Sequence, residues 1–269
     1  MLKKVLTVQD ISCLNQCSMK AALPILCAFG YDTAILPTAI LSTHTAGYGT
    51  PSFLDLTKNI EDVIEHWKSQ NVCFDAVYTG YLGRLPQIDL VLKIFHTLCK
   101  ESSIKIVDPA MADHGKLYSG IVPEYAEKMK ELCNDADVLI PNLTEACLLA
   151  GKDYKEEYDR GFIEGLLLSL NCKTVILTGV SCDKDKTGVA VKCDGEISFV
   201  QHEKMNGSFY GTGDIFASVF TGEYLKNKDV LRAVNTACDF TLKCIKNTPA
   251  SHWQGVNFEP LLGELEVSR

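Results

Sequence analysis

The sequence predicts an α/β fold, a central and mostly parallel sheet flanked by helices on both faces. Two observations lead there. Short apolar runs alternate with helical stretches of about 10 to 15 residues along nearly the whole chain, the order that builds parallel strands through helical crossovers. The 269 residues are 46% hydrophobic and 22% charged, enough for one sizeable core. With no internal repeat, low-complexity tract or linker, a single domain over 1–269 is expected.

Taken in order, KVLTVQ (4–9) reads as the first strand, and CSMKAALPILCAFG (17–30) as a helix closed by Gly30. DTAILPTAIL (32–41) is extended and leads into the polar loop STHTAGYGTPS. In DLTKNIEDVIEHWKSQ (55–70), Ile60, Val63, Ile64 and Trp67 fall on one helical face. FDAVYTG is a strand, QIDLVLKIFHTLCKE (87–101) a helix and IKIVDP a strand. A helix over 123–133, the strand DVLIPN, the helix LTEACLLAG, a helix over 157–170 and the strand KTVILTG follow. TGVAVKC and EISFVQHE form a hairpin around Asp194-Gly195. One helix opens near Asp214, and another over 231–246 closes the core.

Bulk properties exclude several classes. A net charge of −8 without a Lys/Arg run argues against a nucleic-acid surface or a polybasic membrane anchor. MLKKVLTVQDIS reads as a strand rather than a signal peptide, and no window approaches the roughly 18 apolar residues of a membrane helix. The twelve cysteines include no CxxC pair and mostly sit singly in apolar segments. They read as reduced core residues, which points to the cytoplasm.

In sheets of this kind ligands bind beyond the carboxyl ends of the strands. The polar residues found there are Asp10, His44, Thr45, Tyr81, Asp108, Asn142, Glu145, Thr178 and Asp214. A P-loop, a dinucleotide fingerprint, HExxH and GxSxG are all absent. Four stretches carry chemistry. In SFYGTGDIFASVF (208–220), glycines precede a buried helix whose first amides favour an anion. Asp214 there is out of place as a binding group but suits a base beside a phosphate; a glycine turn with an Asp near the N-cap would also explain it. In VLIPNLTEA, Asn142 and Glu145 fit a capping box, or a site for hydrated Mg²⁺. In IVDPAMADHGKLYSG, Asp108 ends a strand, and the loop over 113–118 is longer and more mixed than a plain connection. In LSTHTAGYG, His44 lies in a glycine-bearing loop that could equally be a solvated connection.

In order and spacing, PNLTEA and GTGD resemble the N-x-x-E and anion-hole elements of the ribokinase-like kinases. STHTAGYG, TGYLG and VDPAMAD are similar to the pyridoxal kinase branch, and the likeness runs over nearly the whole chain. It implies a Mg²⁺- and ATP-dependent kinase of vitamin B6 salvage that phosphorylates a hydroxymethyl group. Asp214 would be the base, with the amides of Gly211, Thr212 and Gly213 as the anion hole. Asp108 and Glu145 would hold Mg²⁺, partly through water. Asp113, Tyr118, Asn142, Thr178 and Phe209 would meet ATP, with the 113–118 loop closing over it, and Asp10, His44, Thr45 and Tyr81 would line the vitamin pocket. The likeness also implies a homodimer and leaves room for a monovalent cation. One departure stands out. Asp10, in VLTVQD, replaces a serine common in that branch. It could accept a hydrogen bond from a protonated ring nitrogen or an amine, or cap the following helix. Alternatives are therefore a hydroxymethylpyrimidine kinase, then a sugar kinase, or a non-catalytic vitamin or nucleotide sensor on the same fold.

Overall fold

A computed structural model describes residues 2–45, 48–205, 207, 209–249 and 255–265. The chain forms two compact units, the first made of 1–104 with 208–269 and the second of 105–207.

In the first unit, β1 (Lys4–Leu14) lies between β2 (Asp32–Thr43) and β4 (Phe74–Thr79) and is parallel to both. The strand order is β5-β4-β1-β2-β3, with β5 at Cys99–Val107 and β3 at Phe53–Asp55. β1 is buried on both faces, as interior strands of parallel sheets are, and Val5 and Leu6, which point to opposite faces, have no exposed surface, nor does Val8. β3 was not anticipated. It is only three residues long, paired antiparallel to β2 at the sheet edge, and too short to show a period.

Helices α1 (Met19–Ala28), α7 (Thr212–Asn227) and α8 (Val230–Lys246) pack in succession, as do α2 (Thr57–Ser69) and α3 (Leu85–Thr97). α2 buries Ile60 and Ile64 from the expected face. The sequence reading carried α3 to Glu101, but the helix ends at Thr97 and β5 begins at Cys99. Backbone pairing decides this. The Leu98 carbonyl accepts the Phe74 N–H at 2.9 Å, and the Ser103 hydroxyl donates to the Phe74 carbonyl at 2.6 Å. These bonds to β4 outweigh the helix propensity of Leu98 and Lys100.

α7 is buried almost all round, its apolar Ile215, Phe216, Ala217, Val219, Phe220 and Leu225 together with the polar Ser218, Thr221 and Glu223. At Gly222 a Cβ would stand 2.2 Å from Cδ2 of Phe29, so the backbone of α7 comes against the aromatic ring that ends α1.

The second unit has strand order β11-β10-β9-β8-β5, with β8 at Val138–Leu139, β9 at Thr174–Val180, β10 at Lys186–Cys193 and β11 at Glu196–Glu203. β8 is parallel to β5 and β9, and β9-β10-β11 is antiparallel. The hairpin turns at Asp194 and Gly195, with φ of 50° and 86°, the type I′ geometry that Asp-Gly favours. DVLIPN pairs over only two residues, and its Asn142 then makes an isolated parallel bridge to Thr178. α4 (Glu124–Asn134), α5 (Leu143–Ala150) and α6 (Arg160–Ser169) pack in turn. The 113–118 segment, read as a loop, contains most of a small hairpin, β6 (Ala112–Asp113) and β7 (Lys116–Leu117), turning at His114 and Gly115 with φ of 48° and 75°. Among the described residues no helix is long and apolar enough to cross a membrane.

Gly222→Ala is expected to lower stability despite alanine's helix propensity. Overpacking costs about 1–3 kcal/mol and the propensity gain returns at most about 1 kcal/mol. Thermal denaturation of the two proteins would show the lower melting temperature.

Candidate active site

Asp10 and Asp214 come together in the first unit. Asp10 lies in β1 and is buried. Residues two apart on a strand share a face, and the Ser12 hydroxyl donates to Asp10 Oδ2 at 3.0 Å. Asp214 sits in the first turn of α7, part-exposed at its surface, with protein crowding its carboxyl. Burial pushes this carboxyl up to about 7; the Ser18 amide works against the shift and the Asp10 charge adds to it. Burial also raises Asp10, against the hydroxyls of Ser18 and Ser12. Asp10 does not cap α1, whose N-cap is Ser18.

Cys17 and Tyr81 feel the same charges. Burial pushes the Cys17 thiol up, and Asp214 and Asp10 push it further, while Lys20 opposes them weakly. Tyr81 is raised by burial and then by Asp10, and its carbonyl accepts the Thr38 hydroxyl at 2.9 Å. The His44 ring lies 5.0 Å from the ring of Tyr210 and 5.5 Å from that of Tyr48. Asn15 Nδ2 donates to the Tyr48 hydroxyl at 2.9 Å. Thr45, next to His44, is part-buried.

Gly211 begins α7 with φ of 82°, and a Cβ there would stand 2.2 Å from the Gln16 carbonyl oxygen. Only glycine meets both demands. Gly213 is different, since a Cβ there would meet nothing within 4 Å, so its surroundings are open. The Thr212 hydroxyl is turned to the Phe209 carbonyl at 3.1 Å, which leaves backbone amides as the groups offered by this turn. The connection from β1 to α1 carries two non-glycine residues with positive φ, Asn15 at 91° and Ser18 at 49°. Outliers of this kind cost on the order of 1–3 kcal/mol each.

The second unit gathers Asn142, Glu145 and the start of the β6–β7 hairpin. The capping box is complete. Asn142 Oδ1 accepts the Glu145 N–H at 3.0 Å, and Glu145 Oε2 accepts the Asn142 N–H at 2.8 Å. Glu145 Oε1 also accepts the Met111 N–H at 3.0 Å, and Asn142 Nδ2 donates to the Ala112 carbonyl at 2.7 Å. The Gly115 N–H donates to the Thr144 hydroxyl at 2.9 Å, tying the hairpin tip to α5. Burial pushes the Glu145 carboxyl up to about 7 in spite of its amide donors.

Asp108, part-buried just past β5, raises the Cys133 thiol together with Glu145, after burial itself and Cys172, so both carboxyls act in one neighbourhood. Thr178 donates its N–H to the Pro141 carbonyl at 2.9 Å, beside Asn142. The Tyr118 N–H donates to the Met111 carbonyl at 2.9 Å, and Asp113 is exposed.

Among the described residues no group of three or more His, Cys, Asp or Glu side chains could hold a metal ion. Mg²⁺ keeps several waters and needs only one or two carboxylates beside phosphate. Asp108 and Glu145 fit that mode. Since three backbone N–H groups face Glu145, it suits a water-mediated contact better than a direct bond.

Sequence reasoning missed Ser12, Ser18, Tyr48 and Tyr210. The strand period of two could have found Ser12 beside Asp10. Tyr210 directly precedes Gly211, and its place beside the glycine turn is the one signal that could have found it.

The family model of the phosphomethylpyrimidine kinases matches residues 25–257. A pyridoxine kinase of Bacillus subtilis is 32% identical over 67% of this chain and 68% of its own length. A Bacteroides thetaiotaomicron structure, assigned to the phosphomethylpyrimidine kinases and crystallised with pyridoxal, superposes with a TM-score of 0.93 at 33% identity, covering 98% of this chain and 96% of that one. The pyridoxal kinase of Lactobacillus plantarum superposes with a TM-score of 0.90 at 31% identity over 98% and 97% of the two chains.

Glu145→Gln would turn an NH₂ group toward a backbone N–H that now has a carboxylate acceptor. It is expected to destabilise the protein by about 1–3 kcal/mol, measured as a lower urea midpoint at pH 8.

Proposed function

Because the chain belongs to the phosphomethylpyrimidine kinase family, and is a kinase, we propose that it phosphorylates the hydroxymethyl group of a B6 vitamer with ATP. Pyridoxal, pyridoxine and pyridoxamine are the candidate acceptors. The observation that carries the reading is Asp214, a carboxyl raised to about 7 in the first turn of a helix that opens on Gly-Thr-Gly. A general base works best with a pKa near the operating pH. The family match runs through residues of both units, which supports one catalytic domain over 1–269.

In this reading the acceptor's O–H gives its proton to Asp214 as the alcohol oxygen bonds to the γ-phosphorus of ATP. The bond from that phosphorus to the bridging oxygen breaks, and ADP leaves. The amides of Gly211, Thr212 and Gly213 hold the charge on the phosphoryl group in flight. Oriented donors of this kind contribute roughly 2.7–4 kcal/mol each. Thr178 and Asn142 would meet the nucleotide's phosphates, Asp113 and Tyr118 on the hairpin would add contacts to it, and Phe209 would add another. Asp108 and, through water, Glu145 would hold Mg²⁺, which when bound neutralises phosphate charge. His44, Thr45 and Tyr81 would line the ring pocket.

Asp10 favours a second reading. A buried acceptor suits an amine or a protonated ring nitrogen, so the aminopyrimidine of a hydroxymethylpyrimidine kinase is the runner-up acceptor, in keeping with the family's description. A sensor would gain nothing from a desolvated base.

The test is ADP release with Mg-ATP and each of pyridoxal, pyridoxine, pyridoxamine, hydroxymethylpyrimidine and ribose. A pyridine substrate should be preferred, and Asp214→Asn should lower kcat by about 10²–10⁴. Turnover on the pyrimidine or ribose alone would sink the B6 assignment. Wild-type kcat should fall as pH drops below about 7, where Asp214 takes up its proton.

The same carboxyl has a signature in stability. Folding raises its pKa, so the native state holds the proton more tightly than the unfolded chain, and stability is lost as pH rises toward and through about 7. Asp214→Asn is expected to melt higher than wild type at pH 8, and by a smaller margin at pH 5.

A further inference from the structure

In the second unit, the end of α6, its connection to β9 and Lys192 of β10 line a cavity of about 490 Å³. Lys192 is only 9% exposed. Its ammonium donates to the Leu170 carbonyl at 2.7 Å, and among the described residues no carboxylate pairs with it. An ammonium has three donors, and burying one without an anion is costly. Burial accordingly holds this amine below the usual lysine range, with Cys172 acting the other way. An uncharged donor could make the one bond to Leu170, so that bond does not explain a buried charge at the cavity wall.

The rest of the lining suits an anion with an apolar part. Lys173 stands at the same cavity and pairs with Asp194 at 3.0 Å, both side chains being well exposed. A surface pair of this kind is worth at most about 1 kcal/mol, so Lys173 can turn to a stronger anion with little loss. Asn171 adds an exposed amide, and Leu168, 64% exposed, supplies an apolar flank. Asp137 is felt by Cys172 but not by Lys192. The volume falls in the range of small-molecule sites.

We propose that this cavity binds a small phosphate monoester, its phosphate on Lys192 and Lys173 and its apolar part on Leu168. Lysine binds phosphate as a point charge, and a dianion supplies the countercharge that Lys192 lacks. Lys192 pairs with Val175 across β9 and β10, so the site lies about 10 Å along β9 from Thr178, toward the strand's amino end. It is therefore separate from the nucleotide contacts proposed above, which gather at the carboxyl ends of the strands.

The experiment titrates isotope-labelled protein with phenyl phosphate and with inorganic phosphate, at low salt and near neutral pH, and follows the backbone amide NMR signals. Those of 168–173 and of Lys192 are expected to shift and saturate together, with phenyl phosphate bound about threefold more tightly than inorganic phosphate. Signals of Asn142 and Thr178 report phosphate at the nucleotide site separately. Lys192→Met is expected to weaken binding by about tenfold or more. Leu168→Asp, at a position too exposed to decide folding, should weaken it through repulsion, and it decides the matter alone if Lys192→Met does not fold. Wild-type signals unmoved over 168–173 would overturn the assignment, as would shifts that either folded variant leaves unchanged. Inorganic phosphate bound as tightly as the ester would overturn it too.

Discussion

A carboxylate kept from water destabilises the fold that holds it unless donors or opposite charges surround it, and the first unit keeps two within electrostatic reach of each other. The Asp10 charge adds to the cost of ionising Asp214, and among the described residues no cation is found among the groups that lower either carboxyl. What surrounds them are modest donors, namely the hydroxyls of Ser12 and Ser18 and the Ser18 amide. Much of the local architecture follows from placing those donors. The connection from β1 to α1 bends through positive φ twice, and Gly211 has no side chain because the Gln16 carbonyl occupies its place. The result is a carboxyl basic enough to accept a proton near neutrality.

The second unit meets a similar demand with backbone. Glu145 is as deeply buried as Asp10, but three amide groups face it and Asn142 returns the bond in a closed box. Such a carboxyl is a fixed part of the frame. Its raised pKa reflects burial without implying that it exchanges a proton during a reaction, and a perturbed carboxyl alone would not have told base from brace. The difference lies in the neighbours, since Glu145 is saturated by amides and Asp214 lies at a glycine turn with open surroundings at Gly213.

Local chemistry was legible in the sequence wherever it is self-sufficient. The capping box at Asn142 and Glu145, the Asp-Gly hairpin and the helix opening at Asp214 each need only a few adjacent residues, and each is where the sequence places it. What was hidden depends on partners distant in sequence. Leu98 and Lys100 look helical until Phe74 claims the strand, and β3 exists only because β2 offers an edge. Asp10 could be picked out as unusual, but whether it capped a helix or faced Asp214 depended on how the chain returns after some 200 residues. The strain at Ser18 had no signal at all, because serine at an N-cap is what the ordinary rule expects.

The first unit is built from both ends of the chain, with about a hundred residues of the second unit between them. On the ribosome, β1 and α1 emerge long before α7 and α8, against which α1 and its Phe29 must close. At ordinary elongation rates the wait is on the order of ten seconds. The second unit is continuous and can complete itself within that interval. During synthesis, then, the apolar surface that waits longest for its partners belongs to the unit that carries Asp10 and Asp214, and relief comes only once α7 and α8 have been made.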